Sequence, residues 1–439
     1  MRTPHATALP VLGGVSRLVR AGRLVIVVAL LGSCATACGS TATLAHVSAS
    51  AIGAGGLAVP ASPWPEADYD ARRSSGTSSV GPSSARVRWT RSLGAGVGQG
   101  LVIGVDGIIL QASDDGVLHG INPPSGQDNW TFSAGAAYTV RGADGVQLST
   151  SPAVLRGGTI LWPGPRDTLY ALNENGGLLW SLRLPGQPLS PAIGADGRIY
   201  VADQSGRLTA LQVTSTSHRT LWTLELGGRD DASPTIAPDG TIYSASGSDL
   251  VAVRDEGAAA MVVRRFAAGA PVETPAAVAP DGTVVLGAGG GAGIDAAGTR
   301  LWSLAGRPAA AGPNPGYSAA TVRPDGIAYL GDDHGRVTAV RAATGATVYT
   351  SQAVAQAIAP AITTTVVVDS RGDAYFATSS GHIYGLDPQG RRMFELDAGA
   401  PILASPVISG DQTLYVATTA GTLYAIGGTE LSSPATGSS

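Results

Sequence analysis

The chain has 439 residues, a formal net charge of -4, 61 glycines and no lysine, so every fixed cation is an arginine. The length would allow two or three ordinary domains, but frequent glycine and only 14% charged residues favour many short strands joined by tight turns. The acidic balance and the lack of a basic stripe argue against a nucleic-acid partner.

The N-terminus has the features of an export signal. Four arginines precede the apolar stretch LVIVVALL at 24–31. Eight apolar residues are too few to span a bilayer, whereas a positive start followed by a short apolar core is typical of a signal peptide. We therefore expect residues 1–38 to be a signal peptide.

Two cysteines close this segment, in LGSC at 31–34 and ATAC at 35–38. Each tetrapeptide resembles the lipobox of bacterial lipoproteins, in which the cysteine thiol receives a diacylglycerol group. LGSC favours Cys34 as the lipidated residue, with Cys38 as the alternative and simple cleavage near Ala37 as a third interpretation. Since these are the only cysteines, no disulfide framework is expected.

The flanks of the folded part differ in composition from its centre. Residues 39–63 are rich in Ala, Ser and Gly, which predicts a flexible tether, and residues 429–439 predict a disordered tail. Between tether and repeats lies a segment, residues 64–82, that contains a tryptophan at its start. We call it the lead-in segment and expect it to pack against the folded domain rather than to serve as a linker.

A strand–turn–strand pattern, clearest in TLYVATTAGTLYAI at 413–426, recurs eight times. Before each copy comes a short strand ending in a glycine turn, often Asp-Gly, and after most copies a second turn leads to one bulky residue. In six repeats that residue is aromatic. In the fourth repeat the residue four positions after Gly257 is Met261, so a large apolar side chain is predicted at this position. The aromatic residues are Trp130, Trp180, Trp222, Trp302, Tyr349 and Phe394.

These repeats predict an all-β fold, an eight-bladed β-propeller of four-stranded antiparallel blades over residues 64–428. The first-turn glycines are about 38–51 residues apart, a period typical of propellers. The eighth copy lacks its own outer strand, and VRWTRSLG at 87–94, with Trp89, is expected to complete it and close the ring. Because the fourth and fifth repeats are degenerate, a seven-bladed ring is the alternative.

Two links between blades, residues 134–150 and 305–320, are longer than the others. Long loops where the central channel opens are a usual place for recognition, although ordinary variation in loop length would also explain them. The side chains that would recognise a partner there are Tyr138, Arg141, Asp144, Asn314 and Tyr317.

The repeats resemble the pyrroloquinoline-quinone-like propeller family, best in DDGVLHGINPPSGQDNW (114–130) and DHGRVTAVRAATGATVY (333–349). The stretch WPEADYDARRSSG looks like the lead-in that precedes such propellers, so the resemblance covers roughly residues 62–428. It implies that the repeated aromatic residue docks neighbouring blades. The residues carried over in that role are Trp89, Trp130, Trp180, Trp222 and Trp302, with Tyr349 and Phe394 as departures from tryptophan.

The enzymes of that family are quinone-dependent dehydrogenases that hold the quinone and a metal ion in the central channel. The sequence lacks their adjacent cysteines and any Cys-x-x-Cys-His haem site. The carboxylate pairs at 114–115, 230–231 and 332–333 fall in turns or links, where Asp caps the backbone. We therefore predict no catalytic, cofactor-binding or metal-binding residue.

The sequence thus predicts a non-catalytic, extracytoplasmic lipoprotein that serves as a protein-docking or ligand-binding platform at the cell envelope. Its expected partners are the membrane, through the lipid anchor, and a protein of the envelope, and the ring is expected to be monomeric. The alternative is a sugar or alcohol dehydrogenase that uses pyrroloquinoline quinone with Ca²⁺.

Overall fold

The structure is a computed structural model, and it describes the folded region with four internal gaps and a short strand pair ahead of it. The described ranges are 64–142, 147–287, 290–304, 318–351 and 360–427, together with Ile52–Gly53 and Leu57–Ala58. Within these ranges all regular structure is β-strand. No helix in them has the length and apolarity needed to cross a bilayer.

Eight antiparallel sheets of four strands follow one another along the chain, which confirms the eight-bladed β-propeller. Each strand is hydrogen-bonded to the next in sequence, and we number the blades in chain order. Blades 1 to 4 comprise Val102–Ile103, Ile109–Ser113, Val117–Ile121 and Asp128–Ser133; Ala153–Val154, Ile160–Gly164, Thr168–Leu172 and Leu178–Arg183; Ala192–Ile193, Ile199–Asp203, Arg207–Val213 and His218–Glu225; Thr235–Ile236, Ile242–Ser246, Asp249–Asp255 and Ala260–Ala267.

Blades 5 to 8 repeat the same order, except that the last strand of blade 8 comes from the start of the domain. They comprise Ala277–Val278, Val284–Leu286, Ala292–Ile294 and Arg300–Ser303; Thr321–Val322, Ile327–Gly331, Val337–Arg341 and Thr347–Thr350; Val367–Val368, Ala374–Ala377, His382–Leu386 and Arg392–Asp397; Val407–Ile408, Thr413–Ala417, Thr422–Gly427 and Val87–Ser92. An additional pair, Val140–Arg141 with Gln147–Leu148, lies in the link between blades 1 and 2.

The ring closes as predicted. Strand Val87–Ser92 pairs antiparallel with Thr422–Gly427, and Trp89 lies opposite Ala425. Arg88 bonds Asp411 within blade 8 at 2.8 Å, while Arg91 donates to Asp128 of blade 1 at 2.5 Å. The first and last parts of the domain are therefore joined by a full strand ladder, so this blade has no missing outer strand.

The first strand of each blade is its inner strand. The inner strands of neighbouring blades contact one another, for example those of blades 4 and 5 and those of blades 5 and 6, which places them around the central channel. The turns after the inner strands have the predicted conformation: Gly197, Gly240, Gly282 and Gly326 have φ between 79 and 87°. The Asp before each glycine accepts a backbone N–H, as Asp196 does from Arg198 at 3.1 Å.

The seams between blades are built from an aromatic ring and a facing turn. The ring of Trp89, on the outer strand of blade 8, lies on Gly126 in the second turn of blade 1, and its Nε1 donates to Pro123 O at 2.8 Å. Trp130 lies in the same way on Gly176 of blade 2. Burial of a large ring against a bare backbone adds both apolar area and close packing at the seam.

Blade 4 departs from the pattern, and the prediction of Met261 at its seam is wrong. Met261 is 48% exposed, and the residue opposite the third strand at the tryptophan position is Arg264. The ring that packs on the next blade is that of Phe266, which faces Gly298. The third and fourth strands are seven and eight residues long, as in blade 3, so their turn lies farther out than in blades 1 and 2. In blade 4 the count began at the turn residue Gly257 and not at the first residue of the outer strand, as it did in blade 3 at His218, so it ended three residues before Arg264.

Substitution of the seam glycine should destabilise the protein more than substitution of a turn glycine in open space. Gly176 and Gly197 have φ of 76 and 79°, but an added Cβ meets Trp130 at 2.4 Å only at Gly176. Gly197→Ala should cost about 1–2 kcal/mol from backbone strain alone. Gly176→Ala should cost at least about 1 kcal/mol more from overpacking, as measured by urea unfolding; equal losses would contradict the seam packing.

Candidate functional site

The propeller has two faces that differ in what they carry. The turn face carries the turn that follows each inner strand, such as that at Gly197, and the link face carries the connections between blades, such as that containing Arg141. In an antiparallel blade these two kinds of connection must lie at opposite ends of the inner strand. We use these two names below.

On the turn face, the lead-in segment runs around the mouth of the channel and accepts hydrogen bonds from six of the eight inner strands. In each case the donor is the backbone N–H of the last residue of the inner strand. The pairs are Ile103 with Trp64 O, Val154 with Pro65 O, Ile193 with Glu66 Oε2, Ile236 with Ala71 O, Val278 with Arg72 O and Val368 with Ser75 O, at 2.6 to 3.2 Å.

One arginine fixes the lead-in segment to the channel wall. Arg73 is 1% exposed, and its guanidinium donates to the carbonyl oxygens of Ala67 at 2.8 Å and Pro234 at 3.0 Å, with a longer contact to Ser190 at 3.4 Å. Pro234 and Ser190 precede the inner strands of blades 4 and 3. The fork geometry of the guanidinium therefore connects the segment to two blades at once.

Two carboxyl groups of the lead-in segment, those of Glu66 and Asp68, interact with this arginine, and a third, that of Asp70, lies near Arg72. Burial raises the pKa of Glu66 to about 8, with Arg73 opposing the rise, and Glu66 is 2% exposed. Burial also raises the pKa of Asp68, opposed by Arg73 and by the Thr365 hydroxyl. Asp70 accepts backbone N–H groups within the segment, so it shapes the local turn.

Below the lead-in segment, toward the link face, lies a cavity of about 200 Å³. Its wall contains a partial ring of hydroxyls from the Ser-Pro sequences that open the inner strands. Ser151 N donates to Ser190 Oγ at 2.9 Å, and Ser190 N donates to Ser233 Oγ at 3.1 Å. On the other side of the ring Thr365 N donates to Ser405 Oγ at 3.1 Å. These bonds link each inner strand to the next.

The described lining of this cavity does not fit pyrroloquinoline quinone, a planar tricarboxylate. Its ionisable groups are the carboxyls of Asp68, Glu273 and Asp333, and no arginine is among the described residues that line it. The nearby Arg73 already donates to backbone carbonyls. The volume is also below the roughly 300–1,000 Å³ of typical small-molecule sites. No chemical step through the quinone follows from these residues.

The carboxylate pair at 332–333 forms, with His334, a cluster whose ligand atoms lie within 4.8 Å of one another. Asp332 uses one oxygen to accept the N–H groups of His334 and Arg336 and the other to bind the Arg336 side chain at 2.8 Å. Asp333 lies 2.6 Å from His334 Nδ1. Turn formation and ion pairing therefore explain why these three side chains lie together.

A second cluster has the composition of a catalytic triad. His119 Nε2 lies 3.2 Å from Ser113 Oγ, and His119 Nδ1 lies 3.3 Å from Asp128. Ser113, however, is fully buried, and its hydroxyl also donates to Asp115 at 2.5 Å. A nucleophile must reach its substrate, so this cluster stabilises blade 1 rather than forming an active site.

The predicted recognition residues lie in different environments. Tyr138 is 1% exposed, its ring packs edge-on against Trp162, and its hydroxyl bonds Thr150 Oγ1 at 2.8 Å and the carbonyl of Pro163. Its ring thus belongs to the core. Arg141 is exposed, and its carbonyl accepts from Gln204 and Arg229. The other predicted residues, Asp144, Asn314, Tyr317, Cys34 and Cys38, lie outside the described residues.

The sequence analysis missed the individual roles of Glu66 and Arg73. The signal available was three acidic and two basic residues in a segment expected to pack against the domain, since charges in a buried segment require partners. Which carbonyls and amides provide those partners depends on blades that are more than 100 residues away in sequence.

The stability of the fold should fall as the pH rises from about 5 to about 8. Burial raises the pKa of Asp230, which is fully buried, from 3.8 to about 8, so the folded state keeps a proton that the unfolded chain has released. That one group contributes a slope of up to about -1.4 kcal/mol per pH unit. In Asp230→Asn this slope should become shallower, as measured by denaturant unfolding at several pH values.

The control for this experiment is Asp239→Asn, which changes an exposed turn carboxylate. Its slope should match that of the unmodified protein. If Asp230→Asn also leaves the slope unchanged, Asp230 does not hold a proton in the folded state.

Comparison with known proteins identifies relatives of two kinds. Over 191 residues the chain is 26% identical to tetrathionate hydrolase of Acidithiobacillus ferrooxidans, covering 39% of this chain and 36% of that protein. Over 166 residues it is 27% identical to outer membrane protein assembly factor BamB of Yersinia pestis, covering 35% of this chain and 39% of that protein. The chain thus spans little more than a third of either relative.

Two solved structures share the fold. BamB from Moraxella catarrhalis superposes with a TM-score of 0.58 at 16% identity, covering 78% of this chain and 99% of that one. Quinohemoprotein alcohol dehydrogenase from Comamonas testosteroni superposes with a TM-score of 0.63 at 14% identity, covering 86% of this chain and 82% of that one. At such identities the likeness establishes the common propeller and nothing further.

The family comparison covers far more of the chain. One family model matches residues 114–218, 212–383 and 333–432, in overlapping stretches that span most of the propeller. Since these matches extend over well over half of the 439 residues, the chain belongs to the PQQ-like repeat family described as outer membrane protein assembly factor BamB.

Proposed function

We propose that this protein is a non-catalytic, extracytoplasmic lipoprotein whose propeller serves as a docking platform for a protein of the cell envelope. The observation that carries the proposal is the lead-in segment, which accepts hydrogen bonds from six inner strands at the turn face of the channel. It makes the central channel part of the core of the ring. We therefore place the docking of the envelope protein on the link face.

The family supports a role in envelope assembly. The relative from Yersinia pestis and the structure from Moraxella catarrhalis both bear the name BamB, the first described as an outer membrane protein assembly factor. By this analogy the present protein acts as a scaffold and not as a catalyst. On the link face, Arg141 is exposed and belongs to the additional strand pair between blades 1 and 2, which makes this link the first candidate for contact.

The proposed attachment is a lipid on Cys34, with Cys38 as the alternative, followed by the tether of residues 39–63. A diacylglycerol group anchors strongly because each buried methylene contributes about 0.8 kcal/mol. The tether would separate the propeller from the bilayer, so that its link face could meet a membrane-bound partner.

Site-specific crosslinking tests the docking role. A photo-crosslinking residue at position 141, on the link face, should capture an envelope protein in cells, because Arg141 is exposed beside the proposed contact. The same residue at position 239, exposed on the turn face, is the matched control and should capture little. Equal capture at both positions, or none at 141, would contradict docking through this link.

Titration with pyrroloquinoline quinone and Ca²⁺ tests the dehydrogenase alternative. We expect the melting temperature of the detergent-solubilised full-length protein to stay constant and no dye-linked oxidation of glucose or simple alcohols to appear. A ligand specific for the native state would stabilise it by about 2.7 kcal/mol at a hundredfold excess over Kd. Such a shift together with turnover would make the protein an enzyme.

Labelling with an alkyne fatty acid tests the anchor. We expect Cys34→Ala to lose the label and the membrane fraction, because the thioether that holds the diacylglycerol needs the cysteine sulfur. Cys38→Ala is the matched control and should keep both. The reverse result would move the anchor to Cys38. If the unmodified protein takes up no label, the lipid anchor is excluded.

A further inference from the structure

A second cavity, of about 440 Å³, opens on the turn face between blades 2 and 3. The turns that follow the two inner strands, 155–159 and 194–197, form two of its sides, and 213–215 of blade 3 and part of the lead-in segment form the others. Its volume lies within the roughly 300–1,000 Å³ of small-molecule sites. It is separate from the channel cavity and from the link face.

The wall of this cavity is mainly aliphatic. Ala71, Val154, Leu155, Ile193 and Val213 supply apolar side chains. Such a wall favours an aliphatic chain of a ligand, because apolar surface removed from water stabilises the complex in proportion to its area.

Glu66 is the most buried of the polar residues that line this cavity. It is 2% exposed, its Oε2 accepts the N–H of Ile193 at 3.2 Å, and it is one of the residues that line the cavity. Its second oxygen, Oε1, takes part in no hydrogen bond among the described residues. A carboxyl in this position can accept a hydrogen bond from a ligand within the cavity.

The charged groups around Glu66 leave it without a dedicated cation. The positive charge of Arg73 opposes the rise in the pKa of Glu66, but the Arg73 guanidinium donates its hydrogen bonds to the carbonyl oxygens of Ala67 and Pro234. Asp70 repels its negative form. Arg156, which has a partner of its own, and Asp196, which pairs with Arg198, also line the cavity.

We propose that this cavity binds a primary alkylammonium group, with its aliphatic chain on the apolar wall and its cation on Glu66. The ammonium supplies the counter-charge that the buried carboxylate lacks, and three donors suit an acceptor already bonded once by Ile193 N–H. A free alkylamine and a lysine side chain of another protein both carry this group. The site does not depend on the proposed docking through the link face.

Proton release follows from this pairing. Because burial raises the pKa of Glu66 to about 8, the free protein is protonated there at pH 7, whereas the bound ammonium requires the carboxylate. About one proton should therefore leave per amine bound at pH 7. The apparent Kd should fall about tenfold between pH 6 and pH 7, since the competent fraction rises by that factor.

The experiment is calorimetric titration of the full-length protein in detergent with n-pentylamine, Nα-acetyl-lysine amide and 1-pentanol. We expect both amines to bind at pH 7 with proton release and pentanol to bind at least tenfold more weakly. If only pentylamine binds, the source is a free amine; if only the lysine derivative binds, the source is a protein. Equal binding of pentanol, or no binding of either amine, would overturn the proposal.

Two variants assign the effect to the residue. Glu66→Gln keeps an acceptor for Ile193 N–H but removes the charge, so it should fold and weaken amine binding at least tenfold, without proton release. Asp239→Asn, an exposed carboxyl on the neighbouring turn, should bind as the unmodified protein does. Unchanged affinity in Glu66→Gln, or an affinity of the unmodified protein that does not vary between pH 6 and pH 7, would exclude Glu66 as the partner.

Discussion

The structure depends on satisfying the free edge of eight very short inner strands. Each is two residues long, and its inner edge faces the channel instead of another strand. An unpaired N–H there would cost a buried hydrogen bond at every blade. The lead-in segment supplies the missing acceptors to six blades, five from its backbone carbonyls and one from the Glu66 carboxyl. The 19 residues of the lead-in segment thus provide hydrogen-bond acceptors for the inner strands of six of the eight blades.

The same requirement explains why the buried charges concentrate at one end of the channel. A segment that bonds the inner strands of six blades must turn sharply, and Asp68, Tyr69, Arg73 and Ser75 have positive φ although none is glycine. Arg73 offsets this strain by donating to carbonyl oxygens of the segment and of two blades. The carboxyl groups that surround it are drawn inside with it, and burial raises the pKa of Glu66 to about 8. The turn face therefore holds an acid next to an apolar cavity.

The candidate site could be predicted only in part. The repeat pattern located the ring, the closing strand and the aromatic seams, because each of them follows from the order of strands and turns within a repeat. It could not separate Tyr138 from the loop that carries it: the ring of this tyrosine packs on Trp162 of the next blade, a contact between residues 24 apart in sequence. It also misplaced the seam of blade 4, where longer strands move the turn away from Arg264 and Phe266.

By itself, the sequence determined the all-β class, the Asp-Gly turns and the strand that closes the ring, and it favoured eight blades over seven. These follow from alternation, turn chemistry and a repeat period, which are properties of neighbouring residues. Only the tertiary structure decided the path of the lead-in segment, the hydrogen bonds of Arg73 to backbone carbonyls and the position of Glu66 in the lining of a cavity. The reason is physical: the acceptors, donors and walls that define a buried charge come from blades that are distant in sequence, and only the closed ring brings them together.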